Sequence, residues 1–166
     1  GLERFLSEAR TLTKFKHPNL VQVFNIFEKN NTAYMVMSYE VGKSLKQILK
    51  VRKSLGELEL IRILVPLMDG LEMMHDKGFI HRDIKPGNIF IRADNSPVLL
   101  DFGSARQTHY YFSDDEESQV KTLTNFVSPG YTPIEQYSGK SDRQGPWTDI
   151  YSLGATLYKC IIGRMP

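Results

Sequence analysis

Four residues of this chain carry groups that could act together on a phosphate. Asp83, Lys85 and Asn88 fall within the run His81-Arg82-Asp83-Ile84-Lys85-Pro86-Gly87-Asn88, and Asp101 opens Asp101-Phe102-Gly103 eighteen residues after Asp83. Moving a phosphoryl group onto a hydroxyl needs a base beside the hydroxyl, oxygen ligands for a divalent cation and positive charge near the group in flight. Asp83 has the carboxylate of a base. Lys85, two residues on in an extended loop, projects to the same side and can neutralise the transferring phosphate. Asn88 and Asp101 offer hard oxygen ligands, which suit Mg²⁺. Singly each is ordinary, since a lone Asp-Phe-Gly is most often a turn; together at this spacing they are specific.

The surrounding pattern says what must hold these residues. Leu2, Phe5, Leu6, Ala9, Leu12 and Phe15 recur at helical spacing, so a helix is expected over 2–16, ended by His17-Pro18-Asn19. Strands are expected over 20–27 and 33–38, joined by the polar loop Glu28-Lys29-Asn30-Asn31. Gly42 breaks the chain before a short helix over 44–50. A longer helix over 58–77 would bury Leu60, Ile61, Leu64, Leu67, Met68, Leu71 and Met74, with Pro66 kinking it or weakening a turn and Gly78 ending it. Three apolar bursts follow, at 79–80, 89–91 and 98–100, the last two separated by the turn Asn95-Ser96-Pro97. The chemistry-bearing residues therefore lie on the loops between bursts. Residues 101–146 are polar and irregular, with the acidic run Asp114-Asp115-Glu116-Glu117 in their middle, before helical spacing returns over 147–162. A stretch of that length inside a compact domain reads as functional.

Composition bounds the rest. The 166 residues fit one domain or a piece of a larger one, and 41% are hydrophobic, enough for a core. With 21 Lys and Arg against 19 Asp and Glu, the net charge of +2 gives no argument for a nucleic-acid or membrane partner. No apolar run approaches a membrane span, and no leader pattern is visible. The one cysteine, Cys160, excludes an intrachain disulfide and reads as a small core residue. A cytoplasmic setting is expected.

These motifs resemble those of the eukaryotic-type (Hanks-type) protein serine/threonine kinases, over essentially the whole chain. Pro129-Gly130-Tyr131-Thr132-Pro133-Ile134-Glu135-Gln136 is similar to the form common in bacterial members. The resemblance implies an α+β, bilobal protein-kinase-like fold. Residues 1–37 would be an N-lobe remnant, 38–42 the hinge, 43–166 the mainly helical C-lobe, and 101–135 the activation segment. It implies ATP-dependent phosphorylation of Ser/Thr hydroxyls on protein substrates, with ATP and Mg²⁺. In that scheme Asp83 is the base, Lys85 faces the transferring phosphate of ATP, and Asn88 and Asp101 hold the metal. Lys85, two residues after the catalytic Asp, favours Ser/Thr over Tyr. Met37 matches the gatekeeper, Ser38-Tyr39-Glu40 the adenine-facing hinge and Phe90 the residue beneath the adenine ring. Glu8 matches the glutamate of the regulatory helix. Arg82 would bind a phosphorylated residue of the following loop, Thr122 and Thr124 being the candidates, and Ser128 matches the loop position facing the substrate hydroxyl. Asp149 resembles the buried aspartate that anchors the catalytic loop, and Leu12, Val23, His81 and Phe102 the apolar column assembled in active members. The acidic run reads as a solvated loop face, with phosphate mimicry or a basic partner as alternatives.

The sequence also departs from the pattern. No Gly-rich loop precedes Glu8, the ATP-contacting lysine of the third strand is missing, and the chain stops before the last helices of the large lobe. The expectation is a truncated domain, inactive alone, whose uncovered apolar surface favours self-association. Two other readings compete: a pseudokinase or interaction module, and a kinase-like phosphotransferase acting on a small molecule. Intact Asp83, Lys85, Asn88 and Asp101 argue against the first, and the long loop ending in 129–136 against the second.

Overall fold

A computed structural model describes residues 11–30, 32–102, 105–107, 127–137 and 143–165. The segment of the expected first helix within this range is helical only to Leu12, then turns through Thr13 and Lys14, so the helix ends earlier than residue 16. The backbone does not enter a strand at Leu20 either. Asn19–Val21 lie beside a later strand: Leu99 donates its N–H to Asn19 O at 2.8 Å and accepts from Val21 N at 2.9 Å. The Asn19 amide fixes the corner, donating to Pro97 O at 2.7 Å.

Strand β1 (Val23–Lys29) then pairs antiparallel with β2 (Thr32–Met37). Its buried residues Val23 and Ile26 stand three apart rather than two because the register shifts between Val23 and Asn25. Strands β3 (Gly42–Ser44), β5 (Ile89–Arg92) and β6 (Pro97–Leu99) make an antiparallel sheet with β5 in the centre. Gly42 is required there, since a Cβ would sit 2.3 Å from Ile91 O. Ser44 ends β3 and caps helix α1 (Leu45–Arg52) in a capping box with Gln47.

Helix α2 (Glu57–Asp76) runs unbroken through Pro66 and buries Leu60, Ile63, Leu67, Gly70, Leu71 and Met74. Ile61 and Met68, expected inside, are about half exposed, while Ile63 faces the core. The apolar residues wrap too far round this helix for spacing alone to choose the face. Gly78 ends it with φ 72° and donates to His75 O at 2.8 Å. The stretch expected to be irregular contains two elements: β7 (Arg106–Gln107), which pairs with β4 (Phe79–Ile80), and the short helix α3 (Ile134–Tyr137). Helix α4 (Pro146–Ile162) starts on a proline and ends on Gly163 at φ 80°.

Helix α2 packs on β4, β6 and α4. Phe15, Leu45, Leu67, Leu71, Met74, Ile89, Leu99 and Phe102 fill one core around these contacts. Each such side chain contributes about 1.5–3 kcal/mol by leaving water. Cys160 belongs to this core, and burial pushes its thiol up to about 11. Among the described residues no helix is long and apolar enough to cross a membrane.

Candidate active site

The loop between β4 and β5 carries His81 to Asn88, and its shape is set from below by one carboxylate. Asp149, in the first turn of α4 and fully buried, accepts from His81 N and Arg82 N, both at 2.8 Å. His75 Nε2 lies 2.9 Å from the same carboxylate. Arg82 takes a left-handed φ of 71°, which turns the chain so that successive amides converge on Asp149. From the other side Gln136 donates Nε2–H to Arg82 O at 2.9 Å. The His81 ring is buried, and burial pushes its pKa below the usual histidine range. Its Nε2 meets Leu100 O at 3.0 Å and its Nδ1 accepts from Asp83 N at 3.3 Å, which together define the neutral Nε2–H form.

On this base the polar groups converge. Lys85 Nζ reaches Asp83 Oδ1 and Oδ2 at 2.9 and 2.7 Å. Asn88 Nδ2 donates to Asp83 Oδ2 at 2.8 Å and to Asp83 O at 2.9 Å. Ser128, forty-five residues away, brings its Oγ to 2.8 Å from Asp83 Oδ1 and 2.9 Å from Lys85 Nζ. A turn fixes that hydroxyl: Thr132 Oγ1 accepts from Ser128 N at 2.8 Å, and Thr132 N donates to Ser128 O at 3.1 Å. The result is a carboxylate with one cation and one hydroxyl in direct contact. It can take a proton from a hydroxyl while the ammonium faces the same oxygen.

Asp101 leaves β6 with φ 65° and an exposed side chain. Leu100 N donates to Asn88 O at 2.8 Å, so Asn88, just before β5, and Asp101, just after β6, lie at the same end of this antiparallel pair. Asn88 uses only its NH₂ in the described contacts, which leaves Oδ1 as a second hard oxygen in addition to that of the Asp101 carboxylate. Two hard oxygens of this kind fit a divalent cation that keeps water and takes its other ligands from phosphate. No cluster of three or more His, Cys, Asp or Glu suited to a metal occurs among the described residues.

Met37, Ser38, Tyr39 and Glu40 share no described contact with this cluster. Met37 ends β2, and Ser38 to Glu40 cross to β3. Ser38 N is engaged by Gln22 O at 2.8 Å, Tyr39 is 91% exposed, and Glu40 Oε2 accepts from Arg92 Nε at 2.6 Å. That guanidinium holds the Glu40 carboxyl below its ordinary range. Phe90, half-buried, packs on the core and lines the same groove as Lys85. Leu12, Val23, His81 and Phe102 are all buried, and the His81 and Phe102 rings lie 5.5 Å apart. Glu8, Thr122, Thr124 and the acidic run lie outside the described residues. The sequence reading missed His75, and it quoted Gln136 without a role. Both act through partners far along the chain, and no local spacing marks them.

The family described as "Protein kinase domain" matches residues 2–166. The chain belongs to this family. As a protein kinase domain of α+β architecture, it is 31% identical over its whole length to "Probable serine/threonine-protein kinase PknB" of Lactococcus lactis subsp. lactis. It is 34% identical over 99% of its length to "Probable serine/threonine-protein kinase CPE1738" of Clostridium perfringens. It is 33% identical over 98% of its length to "Serine/threonine-protein kinase PknB" of Mycobacterium leprae. These alignments cover 25%, 23% and 26% of the three bacterial proteins, so the chain spans about a quarter of the curated relatives it matches.

Proposed function

We propose that the protein carrying this kinase domain transfers the γ-phosphoryl group of ATP to serine and threonine hydroxyls of protein substrates. The observation that carries this reading is the Ser128 hydroxyl, held at 2.8 Å from the Asp83 carboxylate and 2.9 Å from the Lys85 ammonium. An acceptor hydroxyl in the same relation gives its proton to Asp83 as its oxygen bonds to the γ-phosphorus. The bond from phosphorus to the β–γ bridging oxygen breaks, and ADP leaves with that oxygen. Lys85 offsets the charge on the phosphoryl oxygens in flight, and Asn88 holds the Asp83 carboxylate in line through Nδ2. Asn88 Oδ1 and Asp101 would hold Mg²⁺, which supplies neutralisation of the phosphate charge when bound.

In this reading residues 38–42 are the hinge between lobes. Met37, Ser38, Tyr39, Glu40 and Phe90 form the adenine side. Arg82, Ser128, Glu8, Thr122 and Thr124 belong to its regulation, and the setting is the cytoplasm. The test follows labelled γ-phosphate from Mg-ATP onto a generic protein acceptor, using the full-length protein and its Asp83→Asn variant. Loss of the base is expected to cut transfer by about 10²–10⁴-fold. Undiminished transfer in the variant, or none from a wild-type protein that binds ATP, overturns the proposal.

A further inference from the structure

A groove of about 900 Å³ opens beside the catalytic loop and runs along α1 towards the end of α4. Among the described residues five lysines line it, Lys46, Lys50, Lys53, Lys85 and Lys159, together with Tyr131, and none of its described lining residues is Asp or Glu. Two of the lysines are engaged: Lys85 with Asp83 and Ser128, and Lys159 with Gly163 O at 2.7 Å. Lys46, Lys50 and Lys53 are exposed and have no ion pair among the described residues. Lys46 and Lys50 stand one helical turn apart on α1 and Lys53 is its C-cap, and all three line the groove. Glu59, the carboxylate paired with α1, is taken by Arg52 at 2.5 and 2.7 Å and does not line the groove.

Helix electrostatics accounts for only part of this. Lys50 and Lys53 lie at the C-terminal end of α1, where positive charge is favourable. Lys46 lies in the first turn, where positive charge opposes the helix dipole, and no acidic residue there offsets it. The same residue is the one nearest the catalytic loop, its N–H donating to Pro86 O at 2.8 Å.

We infer that this groove selects the acceptor segment of the protein substrate by charge, seating Asp and Glu side chains that flank the phosphorylated Ser or Thr on Lys46, Lys50 and Lys53. The inference rests on the kinase reading above and adds the substrate class. Lys46 and Lys53 are about 10 Å apart along the helix axis, the reach of about three extended residues. A short acidic run beside the acceptor therefore spans the lysine row.

The test uses the full-length protein and three fluorescent acceptor peptides of equal length, with acidic, neutral or basic flanks on both sides of one serine. Binding is read by anisotropy, and phosphoryl transfer to each peptide is measured alongside. The acidic peptide is expected to bind at least about tenfold tighter than the neutral one, with the gap narrowing at high salt. Combined Lys46→Gln, Lys50→Gln and Lys53→Gln removes the gap, and the corresponding Arg triple retains it. Equal binding of the three peptides, or a preference that survives in the Gln triple, overturns the inference. If no peptide accepts phosphate while the acidic one still binds through the lysines, the kinase reading falls and the acidic-segment site stands.

Discussion

His81 shows how much a single side chain near the site is asked to do while remaining neutral. Its ring is buried between Leu100 O and the Asp83 amide and leans on Phe102, and burial is the main cause of its lowered pKa. Because the folded value lies below the unfolded one, the neutral ring contributes stability in full above about pH 6.5. That contribution is lost as pH falls from there through the depressed folded value. The urea midpoint should therefore drop between about pH 7 and pH 5 more steeply than in His81→Phe, which has no proton to gain there. Equal slopes would show that other groups govern the acid limb. At this scale the sequence was legible where a motif is local. Asp83, Lys85 and Asn88 share one loop, so their spacing marked them as a group, while the contacts at 2.7–2.9 Å that join them are seen only in the structure. His75 was not legible, because its partner Asp149 is seventy-four residues away and only the packing of α2 against α4 brings the two together.

The elements show the same division between local pattern and distant partner. Gly42 and Ser44, two residues apart, do different jobs in positioning the loop that follows β2. Gly42 lets β3 lie against β5, where the nearest atom to an added Cβ is a backbone carbonyl rather than a flexible side chain. Gly42→Ala should therefore cost about 1–3 kcal/mol, read as a lowered denaturation midpoint. An unchanged midpoint would mean that β3 can move away from β5 freely. Ser44 needs no such proximity: the helix expected over 44–50 was readable from the break and the spacing beside it, and the structure makes Ser44 its N-cap rather than its first residue. Pattern misled where two apolar runs abut. The residues 20–23, Leu-Val-Gln-Val, read as the start of one strand, yet Asn19 and Val21 bond to Leu99 and only Val23 joins β1. Strand β7 was invisible for the opposite reason. Arg106-Gln107 has no alternation to detect, and it is a strand only because β4 offers it an edge.

At the scale of the molecule, the fold joins its parts through a few charged or buried polar groups that reach across long sequence separations. Arg92 on β5 holds Glu40 at 2.6 Å and Pro18 O at 2.9 Å, linking the crossing after β2 and the entry to β1 with the central sheet. The protein-kinase fold class was readable from the motifs. The lysine row along α1 was not, because a groove requires α1, the 129–132 turn and the end of α4 to meet. The Asp149 contacts reach furthest. His81 and Arg82 stand in a loop with no backbone ladder of their own, yet their amides are sealed by a residue sixty-eight and sixty-seven positions away on α4. Such amides cannot open without α4 letting go of them. In native-state hydrogen exchange they should therefore exchange as slowly as the buried amides of α4, and in Asp149→Ala as fast as an exposed loop. Fast exchange of both in the wild-type protein would break the link. If the link holds, two deuterons in the loop between β4 and β5 serve as a clock for a helix elsewhere in the chain, and any ligand that loosens α4 can be timed from that loop.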